Sequence, residues 1–138
     1  MFVVKDKVRL NDTDAAGILY FANQFRFIHD ALDDFFESEG YSFHKMLYDE
    51  SFVFVIVHVE ADYLAPLAVS DKIEIHLSVA NIGTSSFSVV YKIYKSDQTL
   101  VGTAKTVHVY LDRATRTKRP IPKHFVTILT NHLSKETT

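Results

Sequence analysis

The spacing of apolar positions changes along the chain. From Phe2 to Leu10 apolar and charged residues alternate loosely, which predicts a first strand. From Phe21 to Glu39 the apolar positions Phe21, Phe25, Ile28, Leu32, Phe35 and Phe36 recur at three- and four-residue intervals. That spacing predicts one long helix with a wide aromatic face, Gly40 as its C-cap, and Asp30, Asp33, Asp34 and Glu37 on the solvated side. After a loop from Tyr41 to Ser51 the pattern turns strand-like: Phe52 to Tyr63 is dense in β-branched and aromatic residues, and Lys72 to Asn81 alternates cleanly through Ile73, Ile75, Leu77 and Val79. Ile82-Gly83-Thr84 reads as a turn, and Ser85 to Lys95 and Thr99 to Leu111 as a hairpin about Ser96-Asp97-Gln98. A short tail helix from about Lys123 to Leu133 follows Pro120 and Pro122. Strand, long helix, four strands and a short C-terminal helix make an α+β protein. Its mainly antiparallel five-stranded sheet packs on one long central helix, within a single domain spanning residues 1–138.

Composition narrows the chemistry. A chain of 138 residues buries a core without a metal or disulfide staple, and the absence of cysteine excludes disulfides, thiolate zinc sites and a cysteine nucleophile. That agrees with a reducing cytoplasm. The formal charge of −2 gives no reason to expect a nucleic-acid partner. Lys5, Asp6 and Lys7 stand where a signal peptide would be apolar, and no apolar run approaches the ~20 residues of a membrane span, so a soluble protein without membrane insertion is expected. Seven histidines without ligand spacing predict no metal site.

The most informative stretch is Asn11-Asp12-Thr13-Asp14-Ala15-Ala16-Gly17-Ile18-Leu19-Tyr20-Phe21-Ala22-Asn23, directly ahead of the helical pattern. A helix start offers unpaired N–H groups and partial positive charge, both of which stabilise an oxyanion. A carboxylate just before it would stand beside an anion site. Asp, Thr, Asn and Gly are equally at home as turn and N-cap residues, so the residues alone leave both readings open.

These residues resemble the signature of the 4-hydroxybenzoyl-CoA thioesterase-like branch of the hotdog-fold superfamily, whose fixed positions are met by Asp12, Asp14, Gly17, Ile18, Leu19, Tyr20 and Asn23. Ala61-Asp62-Tyr63-Leu64-Ala65-Pro66-Leu67 with Ser70-Asp71-Lys72-Ile73 is similar to the family's Tyr-x-x-Pro region, and Ile82 to Phe87 to its strand-to-strand turn. The resemblance runs from about Val8 to Pro122. It implies a hotdog fold and hydrolysis of an acyl-CoA thioester to free acid and CoA, with CoA as part of the substrate and no separate cofactor. It makes Asp14 the catalytic carboxylate, as nucleophile or general base, and the backbone N–H of Phe21 the donor that polarises the carbonyl. Asp12 is expected to be structural. In some hotdog branches the acid lies within the helix, where Asp30, Asp33 or Asp34 would serve, but these read as a solvated face. The resemblance also implies a homodimer joined sheet edge to sheet edge, or a homotetramer of such dimers.

The run Tyr20-Phe21-Ala22-Asn23 lacks the histidine that follows the aromatic residue in some relatives and is more similar to hydrolases of 1,4-dihydroxy-2-naphthoyl-CoA in phylloquinone and menaquinone biosynthesis. An aromatic acyl group would then meet Tyr20, Phe21 and Phe25, with Asn23 in the substrate-binding set. His58 interrupts an apolar strand, facing the same way as Glu60, and is either a hydrogen-bonded structural residue or a substrate contact. Ser85 and Ser86 are candidates for the pantetheine arm. Arg113, Arg116, Lys118 and Arg119 form the one basic cluster, either a solvated loop or the site of the CoA phosphates. Two other functions fit the same groove: a broad thioesterase of short- and medium-chain acyl-CoA, and a non-catalytic module binding acyl-CoA or an acyl-carrier protein.

Overall fold

A computed structural model describes residues 1–41, 43–48 and 51–134. Five strands, β1 (Phe2–Lys7), β2 (Phe52–Tyr63), β3 (Lys72–Ile82), β4 (Ser86–Lys95) and β5 (Leu100–Asp112), form one sheet in the order β1-β3-β4-β5-β2, with every pair antiparallel. The helices are α1 (Gln24–Ser38), α2 (Phe43–Tyr48) and α3 (Lys123–Asn131). The α+β class and the hotdog arrangement are as expected. No helix among the described residues is long and apolar enough to cross a membrane.

The period-2 pattern of β3 does what it predicts, burying Ile73, Ile75, Leu77 and Val79 on one face. Phe87, Val89, Tyr91 and Ile93 of β4 continue that face, and α1 answers with Phe27, Ile28, Ala31, Leu32, Phe35 and Phe36. Phe36 stacks on Phe54 of β2 at 6.2 Å between ring centroids and meets Phe125 of α3 at 5.3 Å, so an aromatic cluster joins both helices to the sheet. The helix stops at Gly40, whose φ of +78° suits glycine, and the N–H of Tyr41 closes the turn on the carbonyl of Phe36 at 2.8 Å.

Several boundaries differ from expectation. The α-helix begins at Gln24, because Phe21–Asn23 is a tighter 3₁₀ turn, and Phe21 is 61 % exposed while Phe27 and Ala31 take the core positions. β1 ends at Lys7, ahead of a second 3₁₀ turn at Leu10–Asp12. The stretch expected as a loop from Tyr41 to Ser51 contains α2, with residues 42, 49 and 50 outside the described set. β2 carries a bulge: Ile56 pairs with His108 and His58 with Val107, leaving Val57 as an extra residue. Uniform alternation would put Ile56, His58 and Glu60 on one face. The bulge keeps Ile56 with Val59 over α1 and turns His58 and Glu60 to the outer face.

Candidate active site

Thr13 to Leu19 fold back on themselves through a bridge between those two residues. Within this loop the Asp14 N–H donates to the carbonyl of Ile18 and the Gly17 N–H to that of Asp14, both at 3.0 Å. Gly17 has a φ of +78°, a left-handed conformation that explains glycine there. The loop is tied to the segment before β3 by the Leu19 N–H, 2.7 Å from the carbonyl of Leu67. Asp14 is exposed, and its Oδ1 accepts the N–H of Ala16 at 2.8 Å.

Asp12, two residues earlier, is 2 % exposed and fully engaged. Arg26 of α1 grips it in a fork, Nε to Oδ1 at 2.8 Å and Nη2 to Oδ2 at 2.7 Å, and the Arg9 N–H adds a third bond at 2.8 Å. Burial alone would raise this carboxyl, but the bonds from Arg26 and Arg9 outweigh it and hold the group below the usual range. The Asp12 bond in turn holds Arg26 firmly protonated. The main-chain carbonyl of Asp12 takes the N–H of Tyr20 and the side-chain amide of Asn23, each at 2.9 Å. Asp12 is therefore the hub that docks the acidic loop on the helix start, and Asn23 is part of that scaffold.

The Phe21–Asn23 turn is fixed from the other side. Tyr63, at the end of β2, donates its hydroxyl to the carbonyl of Phe21 at 2.6 Å, and its ring meets that of Phe21 edge-on at 6.5 Å. Gln24 is buried, its Nε2 donating to the carbonyl of Thr103 at 3.1 Å, and it lies so close to Gly102 that a Cβ there would fall 2.7 Å from Oε1. A larger residue at position 102 would displace the Gln24 amide and with it the bond to Thr103. Among the described residues no acceptor takes the Phe21 N–H. The rings of Tyr20 and Phe21, 4.9 Å apart, stand exposed beside it.

One helical turn further on, a cavity of about 380 Å³ opens between α1 and the sheet, walled by Phe25, Ile28 and Leu32 of the helix and Ile56 and Val59 of β2. Tyr20, Phe21 and Asn23 thus gather at the turn on which the Asp14 loop is docked, and Phe25 lies on the cavity wall one helical turn on. The other predicted residues lie elsewhere. His58 lies on the outer face, 3.5 Å from Glu60, with both side chains exposed. Arg113, Arg116, Lys118 and Arg119 belong to the turn after β5, which is fastened to the start of β2 by the Arg113 N–H to the carbonyl of Ser51 at 2.8 Å. Arg119 lies 3.5 Å from Asp112, and Ser85 joins the same end by accepting the N–H of Tyr110. Between this end and Tyr63 runs the whole of β2, 12 residues or roughly 35 Å.

Arg26, Gln24 and Tyr63 were not among the residues expected at the site. The i, i+4 pairing of Arg26 with Asp30, closed at 3.0 Å, was the one local signal for the arginine. Among the described residues no group of three or more His, Asp or Glu side chains is placed to hold a metal.

A five-stranded sheet packed on one long helix, with a carboxylate loop docked at the helix start, is the frame shared by thioester hydrolases of the hotdog type, and the relatives place the chain among them. The chain belongs to the thioesterase-like superfamily, whose family model matches residues 8–129. It is 35 % identical over 125 residues to the 1,4-dihydroxy-2-naphthoyl-CoA hydrolase of Nostoc punctiforme, covering 91 % of this chain and 84 % of that one. The enzyme of the same name from Synechococcus elongatus is 35 % identical over 117 residues, covering 84 % of this chain and 85 % of the relative. Among solved structures, a 1,4-dihydroxy-2-naphthoyl-CoA thioesterase from Synechocystis superposes with a TM-score of 0.89 at 27 % identity, over 94 % of this chain and 96 % of that one.

Proposed function

We propose that this chain hydrolyses 1,4-dihydroxy-2-naphthoyl-CoA, or a close bicyclic aryl-CoA, to the free acid and CoA. The observation that carries the reading is an exposed Asp14, its carboxylate turned by the Ala16 N–H, on a loop that Asp12 docks against the turn where the Phe21 N–H meets no acceptor among the described residues. The thioester oxygen would lie against that N–H, where developing negative charge is stabilised; removing one such donor from comparable enzymes costs about 10²–10³-fold in rate. Asp14 either attacks the carbonyl carbon, expelling CoA thiolate and leaving an anhydride that water opens, or draws a proton from the water that attacks. In both routes it must be ionised. Thiolate is a good leaving group, so neither a metal nor a triad is needed. Tyr20, Phe21 and Phe25 would receive the acyl rings. Asn23 serves by holding the turn, and His58 has no place at this end of the chain's own site.

The reading is completed by a homodimer. β2 is an edge strand, and Ile56, Val57 and Val59 are exposed near its middle at 46 %, 58 % and 45 %. A long apolar edge of this kind needs covering. If two copies pair their β2 strands antiparallel about a two-fold axis near Val57, the start of one strand lies beside the end of the other. Arg113, Arg116, Lys118 and Arg119 of one copy, with Ser85 and Ser86, then stand near Asp14 of the second, where CoA phosphates and pantetheine would lie. The whole chain acts as one domain, in the cytoplasm where CoA thioesters are handled.

The test is thiol release from a panel of naphthoyl, benzoyl and linear acyl-CoA thioesters by wild type and Asp14→Asn. Naphthoyl turnover lost in the variant is expected. Turnover restricted to linear chains would replace this reading with a broad acyl-CoA thioesterase, and tight binding without turnover would replace it with an acyl-CoA or acyl-carrier-protein binding module.

A further inference from the structure

Besides the basic turn after β5, the fold assembles a second concentration of positive charge from residues far apart in sequence. Lys5 and Lys7 of β1, Arg9 just beyond it and Lys72 at the start of β3 are all exposed and line one depression of about 470 Å³. Ser96 and Gln98, from the turn between β4 and β5, complete its rim with neutral hydrogen-bonding groups. Among the described residues none of the four cations has a carboxylate within ion-pair distance. The acids nearby are turned to other partners. Asp6 lies 3.6 Å from Arg26 and accepts the Lys7 N–H at 2.7 Å; Glu74 lies 3.1 Å from His76; Asp71 accepts the Ala68 N–H at 2.8 Å and lies 3.7 Å from Lys95. In a chain of formal charge −2, four cations so grouped form a local field that favours an anion.

Strand register adds a second observation. Lys7 stands directly opposite Lys72 across the β1–β3 ladder, on the face turned away from α1. Side chains paired in this way have Cβ atoms about 5 Å apart, and like charges there repel. Lysines on an edge strand deter unwanted strand pairing, which accounts for Lys5 and Lys7. It does not account for Lys72, on an interior strand, or for Arg9, in the turn beyond β1. An anion seated between Lys7 and Lys72 replaces their repulsion with two charge-assisted bonds, and the Arg9 guanidinium offers a forked contact.

We infer that this depression binds the phosphate group of a small phosphorylated molecule, either a free metabolite or the nucleotide of a CoA ester. A concave site of this size suits a small ligand better than a flat bilayer. The occupant lies beside the hub of the acidic loop, because the Arg9 N–H is bonded to Asp12. The first source makes this a ligand site separate from the reaction. The second moves the CoA nucleotide here from the partner's basic turn. Neither depends on turnover to be detected.

The probe is inorganic pyrophosphate, followed by calorimetric titration and thermal melting at matched ionic strength. Three proteins are compared: wild type, Lys7→Gln with Lys72→Gln, and Arg116→Ala with Lys118→Ala. Wild type is expected to bind pyrophosphate about ten-fold more tightly than the double lysine variant and to melt higher in its presence, with the Arg116 and Lys118 variant behaving as wild type. Without the anion the double lysine variant should melt no lower than wild type, because a repulsion has gone. No binding by wild type, equal affinity in wild type and the double lysine variant, or binding lost only with Arg116 and Lys118 overturns the inference. A second titration separates the two sources. Adenosine 3′,5′-bisphosphate that displaces pyrophosphate and inhibits thiol release in wild type, but not in the double lysine variant, assigns the site to the CoA nucleotide. Pyrophosphate binding that leaves thiol release unchanged assigns it to a free metabolite. If wild type turns over no thioester, the thioesterase reading fails, and the calorimetric comparison still decides this inference.

Discussion

The two ends of β2 are built differently. At its Tyr63 end the acidic loop is held through specific side-chain bonds: Asp12 takes three on its carboxylate and two on its carbonyl, and Tyr63 secures the Phe21 turn. At its Phe52 end the basic turn is fastened through its main chain while Arg116 and Lys118 stand exposed. The contrast follows from the work each end would do. Carbonyl polarisation and attack depend on positions held to a fraction of an ångström. Phosphates carry diffuse charge that long, mobile cations meet without such precision.

The comparison breaks most visibly if one chain can do without the other. Val57→Lys with Val59→Lys places charge on the exposed edge and, in the dimer reading, separates the two ends of the site. The expected result is a monomer in analytical ultracentrifugation, with kcat/KM lower by on the order of 100-fold, as positioning losses of this scale are. A fully active monomer would show that the basic end is not part of the site.

The scaffold and the reacting acid are separated by a second experiment. Asp12→Asn takes from Arg26 its buried partner and leaves it only the more exposed Asp30 and Asp6; Arg26 is a third exposed, so the expected loss is about 2 kcal/mol, less than for a fully buried pair. Asp14→Asn, at an exposed position, is expected to change stability by no more than about 0.5 kcal/mol. The Asp12 carboxyl is held below its unfolded value of 3.8, so its contribution is whole above that pH and fades as pH falls through the native value. Thermal melting below pH 4 should therefore weaken in wild type and weaken less in Asp12→Asn. Equal melting curves would remove Asp12 as the hub.

The same contrast marks what sequence could reveal. The five strands, the long helix and the Gly40 cap follow from periodicity and one well-placed glycine, both local properties, whereas the order β1-β3-β4-β5-β2 within the sheet is not. Asp12 and Asp14 stood out because they share one short motif. Their division of labour was only half visible: the capping role of Asp12 is local, but its Arg26 partner is 14 residues away on another element. The buried bonds between Tyr91 and Thr106, 2.9 Å, and between Thr106 and His108, 2.8 Å, were invisible for a plainer reason. Each residue occupies an ordinary inward position of an alternating strand; Thr106 and His108 are neighbours on one face of β5, and the register of β4 against β5 sets Tyr91 beside them. The bulge at Val57 carries no glycine or proline to announce it, yet it decides which face His58 occupies.

A smaller effect tests the basic end directly. Arg116→Ala with Lys118→Ala is expected to raise KM for CoA esters by about three- to ten-fold at low salt with kcat unchanged, and the difference should shrink as ionic strength shortens the reach of these exposed charges. The corresponding pantetheine ester, which lacks the nucleotide, should be indifferent to the change. A KM that stays put would return the cluster to a solvated turn.

The smallest effect lies at the other end, where Tyr63→Phe removes one hydroxyl and keeps the ring. A single hydrogen bond to a carbonyl contributes about 1 kcal/mol, so an expected fall of roughly five-fold in kcat follows if that bond aligns the Phe21 turn with the developing oxyanion. Tyr63 would act through the turn and not on the substrate itself, so KM and the basic end's salt dependence should not move. A structural role alone predicts the reverse pattern: a lower melting temperature with kcat intact. The two patterns are separable because Tyr63 is 46 % exposed, and the loss of its hydroxyl leaves no buried polar atom behind to unfold the strand.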